Sequence, residues 1–323
     1  MKGSRWLLYG WATLVLVFVY WQFREAGAMA SRMGTHAALV DGTVGSPFLY
    51  RVLAPATTEV AIRALRGAVG ERRAFHLAYL AWNLVWVFLT FLLGDRFFRR
   101  WHRGAVPVLG SLLVGLALVV AFAEPPYAAW SVAETPLFLA GVLAFLEGRT
   151  ALALAVVVVA TLNRETALFI PLAWGALALP GVERACPGLG GPRAGAWRAT
   201  AAGLLIWGAG YGALRVARGP APAFMSAGDL LSDNLLPGMV LCGILLGSLL
   251  LGPFWWLWVR GWPRASPELR RLALVCAPIL VLYLRFALWR EVRVILPVVP
   301  IAIALGLHAV PLAARAEAAE PGL

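Results

Sequence analysis

The chain has 323 residues, 61% of them hydrophobic and only 14% charged, with a mean hydropathy of +0.78. A soluble domain of this length carries nearer a quarter charged residues, so composition excludes an ordinary water-soluble fold and points to an integral membrane protein. The formal net charge of +12 does not mark a nucleic-acid binder, because the basic residues fall in short segments between apolar stretches, where they set membrane topology.

Apolar runs in chain order predict helices over 6–22, 76–94, 106–123, 130–146, 150–162, 166–180, 199–217, 237–258, 272–285 and 294–312. The expected fold is therefore all-α: a polytopic helical bundle of about ten transmembrane helices, forming one domain over 1–323. The first run, Trp6 to Tyr20, ends in bulky Trp21-Gln22-Phe23 with no small-residue cleavage site beside it, and reads as a retained helix. Fifteen Trp, 33 Gly and 21 Pro suit such a bundle, where Trp anchors interfaces and helices tolerate Gly and Pro.

Residues 23–75 form a large first outer loop. Its first half contains Glu25 and then HAALVDGTVGSPF, in which Gly42, Gly45 and Pro47 predict a turn around Asp41. Asp41 is either a general base on a loop held at the membrane edge or an Asx-type turn residue bonding its own backbone. The second half, PFLYRVLAPATTEVAIRALRGAVGERR, interleaves Arg51, Glu59, Arg63 and Arg66 with Val52, Leu53, Val60, Ile62 and Leu65. That pattern predicts an amphipathic helix lying in the headgroup plane.

The stretch 150–180 reads either as one long helix or as two short ones broken at Asn163-Arg164-Glu165-Thr166. Loop charge favours the break. With two helices there, the segments 1–5, 95–105, 147–149, 181–198, 259–271 and 313–323 share one side and hold 15 of the 28 basic residues but six acids. The positive-inside bias makes that side cytoplasmic, with both termini on it and the protein multi-pass in the plasma (inner) membrane. The other ten acids, Glu25, Asp41, Glu59, Glu71, Glu124, Glu134, Glu165, Asp229, Asp233 and Glu291, then gather on the outward face.

Ionisable groups at membrane depth cost several kcal/mol unless paired or hydrated, so Arg164 and Glu165 read as functional, with a local ion pair stapling the break as the alternative. Arg285, Arg290 and Arg293 in YLRFALWREVRVILPVVP, with Glu291 among them, can clamp a phosphate, or serve as snorkelling anchors beside Trp289. Glu124 and Glu134 form a further outward acidic group. The candidate site is thus Asp41 and Glu25 for catalysis, with Arg51, Glu124, Glu134, Arg164, Glu165, Arg290, Glu291 and Arg293 for substrate binding.

Four histidines, His36, His76, His102 and His308, have no ligand spacing, and Cys186, Cys242 and Cys276 have no metal or redox spacing. No nucleophile elbow, His-Glu-x-x-His or phosphate loop is present, which weighs against hydrolase, metalloprotease and nucleotide-driven pump. A divalent metal ion is the one cofactor left open.

In this order of features the chain resembles the GT-C superfamily of membrane glycosyltransferases that use polyprenyl-phosphate sugars. The likeness is architectural: a short N-terminus, one span, a large outer loop with a carboxylate and an amphipathic segment, then many helices with short loops. The resemblance implies an acidic base in the first outer loop, which would be Asp41 with Glu25 as the other candidate, and phosphate ligands at Arg290 or Arg293. It also implies a lipid-linked sugar donor and membrane lipid as partners, and no nucleic acid; protein partners stay unassigned. The chain departs from the family in having no Asp-x-Asp or Glu-Asp pair in the loop and no large C-terminal outer domain. Two other classes stay open: a transporter or flippase for a lipid-linked or anionic solute, and a non-catalytic subunit of a membrane complex.

Overall fold

A computed structural model describes residues 2–22, 28–122, 129–179, 194–222, 232, 234–236, 255–286 and 292–310. These residues are almost entirely helical, with no β-strand among them. In chain order the helices are α1 (Lys2–Tyr20), α2 (Met29–Asp41), α3 (Leu53–Val69), α4 (Glu71–Phe98), α5 (Val106–Phe122) and α6 (Ala129–Leu146). There follow α7 (Thr150–Asn163), α8 (Phe169–Leu177), α9 (Ala194–Arg218), α10 (Pro267–Leu272), α11 (Cys276–Phe286) and α12 (Val298–Leu307).

Among the described residues two helices, α4 and α6, are long and apolar enough to cross a membrane. At 1.5 Å per residue, the 28 residues of α4 reach about 42 Å and the 18 of α6 about 27 Å, against a hydrocarbon core of about 30 Å. The apolar stretches in α1, α5, α7, the 165–177 segment and α12 are shorter. The expected span at 272–285 is divided by a 3-10 turn, Ala273–Val275, before α11, and that at 237–258 lies largely outside the described residues. Leu7, Trp11, Phe18, Leu116, Leu205 and Val281 project their side chains outward. Apolar surface of this extent across several helices suits lipid rather than water as the surrounding medium.

α6 is the central element: every residue except Ala140 is buried. The break expected at 163–166 is present. α7 ends at Asn163, Arg164 is extended, a 3-10 turn covers Glu165–Leu168, and α8 follows. Contacts along α6 give the directions. Asn163 bonds the Trp130 carbonyl, and Val156 lies against Gly141, so α7 runs antiparallel to α6. Thr166 bonds Glu134, Ile170 covers Gly141 and Trp174 stacks on Phe145, so α8 runs back alongside α6. The two short helices form a hairpin whose turn carries Arg164 and Glu165. Close approach at Gly141 permits this: a Cβ there would meet Ile170 Cγ2 at 2.5 Å.

The same contact logic separates two ends. At one end Arg5 meets Asp95 and the Gly104 carbonyl, Arg96 meets Glu147, Arg100 meets Glu268, and Arg271 donates to the Leu179 carbonyl. This gathers four of the segments expected to share the basic side, 1–5, 95–105, 147–149 and 259–271, while 313–323 and most of 181–198 lie outside the described residues. At the other end lie the start of α6, the α7–α8 turn, the end of α9 and residues 43–52, the last tied down by Ser46 N–H to the Pro222 carbonyl and by the Tyr50 hydroxyl to the Gly219 carbonyl.

The described part of 23–75 contains one helix that was expected and one that was not. α3 buries Ala54, Pro55, Thr58 and Ile62 against α4 and leaves Val60 exposed, as its amphipathic pattern requires. α2 buries Met29, Arg32, His36 and Leu39. Those positions have helical spacing, but two of the four are polar, which hides the stripe from a hydropathy reading. The turn expected around Asp41 begins one residue later: Asp41 ends α2 and Gly42 (φ 73°) caps it in the left-handed region.

Candidate functional site

The non-basic end encloses a buried ionic network. Arg164, extended at φ −165° and ψ 151°, turns its side chain inward and donates Nη1 to Glu134 Oε2 at 2.7 Å. Thr166 donates its hydroxyl to Glu134 Oε1 at 2.5 Å. Arg51, which ends the 3-10 turn Phe48–Tyr50, donates Nε and Nη2 to the two oxygens of Glu165 at 3.2 and 2.5 Å. This is the fork-to-fork geometry that a guanidinium makes with a carboxylate or a phosphate. Arg164 Nε lies 3.7 Å from Glu165 Oε1 and links the two pairs.

Neutral groups hold the frame. Asn163 donates to the Trp130 carbonyl at 2.9 Å, and the Trp207 indole donates to the Glu165 carbonyl at 3.0 Å. The Arg51 guanidinium lies 5.1 Å from both the Phe48 and Trp130 rings. Arg293, in the 3-10 turn Val292–Ile295, is also buried, and its charge acts on Arg51. Three guanidiniums and two carboxylates thus gather here among the described residues. A small cavity of about 10 Å³ borders Glu134, Asn163, Arg164 and Thr166, with room for about one water.

A second polar group joins α2, α3 and α4. His36 bonds Glu59 Oε2 through Nε2 at 3.0 Å and the Tyr79 hydroxyl through Nδ1 at 2.9 Å, while Arg63 donates to Glu59 Oε1 at 2.5 Å. The Arg32 guanidinium lies 4.8 Å from the Tyr79 ring. Hydrogen bonds from His36 first, and then from Arg63, hold the Glu59 carboxyl below the usual carboxylate range. Both of its oxygens are engaged, which makes it a poor base.

Asp41 differs. It is exposed and makes no hydrogen bond or ion pair among the described residues, so neither the Asx-type bond nor a shared network engages its oxygens. Beside it, a cleft of about 240 Å³ opens between α2 and α3, with apolar walls from Leu39, Val40, Val52 and Pro55 and with Glu59, Arg63 and Arg218 at its polar positions.

Of the candidate residues, Arg51, Glu134, Arg164 and Glu165 converge directly, and Arg293 lies close enough to act on them. Asp41 stands apart from the network. Glu25, Glu124, Arg290 and Glu291 lie outside the described residues. Arg51 is corrected in one respect: it precedes α3 rather than forming part of the amphipathic helix, and it points into the protein. The reading missed Asn163, Thr166, Trp130 and Trp207, the neutral groups that position the charges; of these, only the Asn and Thr flanking Arg164-Glu165 left a local signal. It also missed the His36–Glu59–Tyr79 group, whose members come from three helices. Among the described residues, no group of three or more His, Cys, Asp or Glu is placed to hold a metal ion. Comparison with family models, curated proteins and solved structures finds no match to the chain.

Proposed function

We propose that the chain is a multi-pass inner-membrane glycosyltransferase of GT-C type, which moves a sugar from a polyprenyl-phosphate donor to an acceptor hydroxyl at the extracytoplasmic face. The observation that carries the reading is the gathering of three buried guanidiniums around two carboxylates at the end of the bundle away from the basic loops. Such a site suits an anionic leaving group, and its position among short helices lets a lipid tail lie between them.

In this reading Asp41 takes the proton of the acceptor hydroxyl and the acceptor oxygen attacks the anomeric carbon. The bond from that carbon to the phosphate oxygen breaks. The negative charge that grows on the departing phosphate is met by the arginine cluster, with Arg293 the proposed donor ligand and Arg290, outside the described residues, the other candidate. The proton ends on Asp41, and no nucleotide is needed.

Turnover of a polyprenyl-phosphate sugar in nanodiscs tests the assignment. Arg293→Ala weakens donor binding, seen as a raised KM, and Arg293→Lys restores only part of it, because a point charge does not reproduce the planar fork. Full activity in the Arg290→Ala/Arg293→Ala variant would make both residues interfacial anchors. Flux of the intact donor across a sealed membrane without transfer would instead identify a transporter, a reading that the α7–α8 hairpin also suits.

The proposed orientation places about ten spans in the membrane, with both termini and the basic end cytoplasmic. Reporter fusions after residues 100, 190 and 265 then report cytoplasm, and fusions after 60 and 228 report outside. A fusion at 265 that reports outside, while 100 stays inside, would overturn the broken pair at 163–166 and the outward site with it.

A further inference from the structure

A second cavity lies at the opposite, basic end, between α1 and α4. It measures about 520 Å³ and is lined by Arg5, Trp6, Tyr9, Leu89, Leu92, Leu93, Asp95, Arg96 and Arg99. Its residues divide by position along the two helices. The aromatic and leucine side chains form an apolar floor, and three guanidiniums with one carboxylate form a polar mouth beside the chain's basic segments.

We infer that this cavity is a binding site for an anionic phospholipid, with the phosphate at Arg5, Arg96 and Arg99 and the first part of an acyl chain along Trp6, Leu89, Leu92 and Leu93. The inference rests on the membrane-spanning reading and is independent of the transferase assignment.

Charge selects the occupant. Asp95 is bonded by Arg99 at 2.7 Å, and Glu147 by Arg96 at 2.7 Å with Arg149 at 3.6 Å, so four guanidiniums face two carboxylates. Arg5 Nη1 makes no hydrogen bond among the described residues; its nearest carboxylate oxygen, on Asp95, is 3.7 Å away. The buried Tyr9 hydroxyl, also on the cavity wall, makes no hydrogen bond of ordinary geometry, with Asp95 and Ser111 beside it. A phosphodiester supplies an acceptor oxygen to Arg5 Nη1. A zwitterionic lipid brings the same phosphate but adds a cation to a mouth that is already positive, so an anionic headgroup is preferred.

The floor explains why the ligand is a lipid rather than a free phosphate. Trp6 is more than half exposed and Leu7 and Trp11 continue an exposed apolar face along α1. The cavity therefore opens sideways onto the medium that this face requires, as basic pockets between membrane helices do when they hold lipid headgroups.

The test uses the purified full chain, with native mass spectrometry to count retained lipid after competition between phosphatidylglycerol and phosphatidylcholine of matched acyl chains. The wild type retains phosphatidylglycerol preferentially. Arg5→Gln and Arg96→Gln each weaken that retention roughly fivefold, the effect of one basic residue beside an anionic headgroup. Arg63→Gln/Arg66→Gln, at the opposite end, leaves it unchanged. Because Arg5 also bonds the Gly104 carbonyl, melting is recorded in phosphatidylcholine alone. Should Arg5→Gln melt early, Arg96→Gln decides the question, since that side chain is 55% exposed and tolerates replacement. Equal retention of the two lipids overturns the proposal. So does displacement of the lipid by millimolar glycerol phosphate, or loss of selectivity only in the Arg63→Gln/Arg66→Gln control.

Discussion

Arg164→Ala is expected to destabilise the protein by about 3–5 kcal/mol, the cost of removing one partner from a buried ion pair. Arg164 and Glu134 are each only 5% exposed, and their bond is 2.7 Å long. Alanine removes the charge that compensates Glu134 and leaves a buried carboxylate near the start of α6 with Thr166 as its remaining described partner. The variant Arg164→Met/Glu134→Gln should recover most of the stability, because no buried charge is left unpaired and Gln keeps an oxygen for the Thr166 hydroxyl. Denaturant titration in detergent micelles measures both. A single variant that loses less than about 1 kcal/mol would show the site to be hydrated and the pair to be exchangeable, as exposed pairs are. The recovered double variant also separates two roles: if it folds and turns over substrate normally, the network is a staple, whereas a folded and inactive protein places the network in the reaction.

Asp41→Asn is expected to lower transfer by about two to four orders of magnitude, the usual contribution of general acid–base catalysis, with no change in insertion or melting. Asparagine keeps the size of the side chain, and Asp41 makes no described bond that the swap would break. It also removes a negative charge from the C-terminal end of α2, where the helix dipole disfavours one, so the fold should not suffer. Glu25→Gln is the matched control in the same loop. Glu59→Gln is a second, because Glu59 is already engaged by His36 and Arg63 and should affect the docking of α2 on α3 before it affects chemistry. An active Asp41→Asn with an inactive Glu25→Gln would move the base within the loop and keep the class. Full activity in both would remove the first-loop base and advance the transporter and subunit readings.

Some of this protein is legible in one dimension. Apolar runs of 17 residues or more have few alternatives to helix, and α1, α4, α5 and α6 lie where those runs lie. The break at 163–166 is legible for a related reason: adjacent Arg and Glu amid apolar sequence cannot face hydrocarbon on both sides, so the helix must end there or find partners. Loop charge groups the basic segments, and the pairs Arg5–Asp95, Arg96–Glu147 and Arg100–Glu268 bring the four of them at 1–5, 95–105, 147–149 and 259–271 to one end.

Tertiary structure decides the rest, because it depends on partners distant in the chain. Nothing near Arg51 announces that its fork closes on Glu165, 114 residues away, or that Glu134 turns from a supposed outward acid into the buried acceptor for Arg164 and Thr166. α2 escapes a hydropathy reading because Arg32 and His36 occupy its buried stripe, and such residues can be buried only where Tyr79 and Glu59 meet them. Periodicity records where a chain can leave water; which charges go with it is settled by the groups that another helix brings.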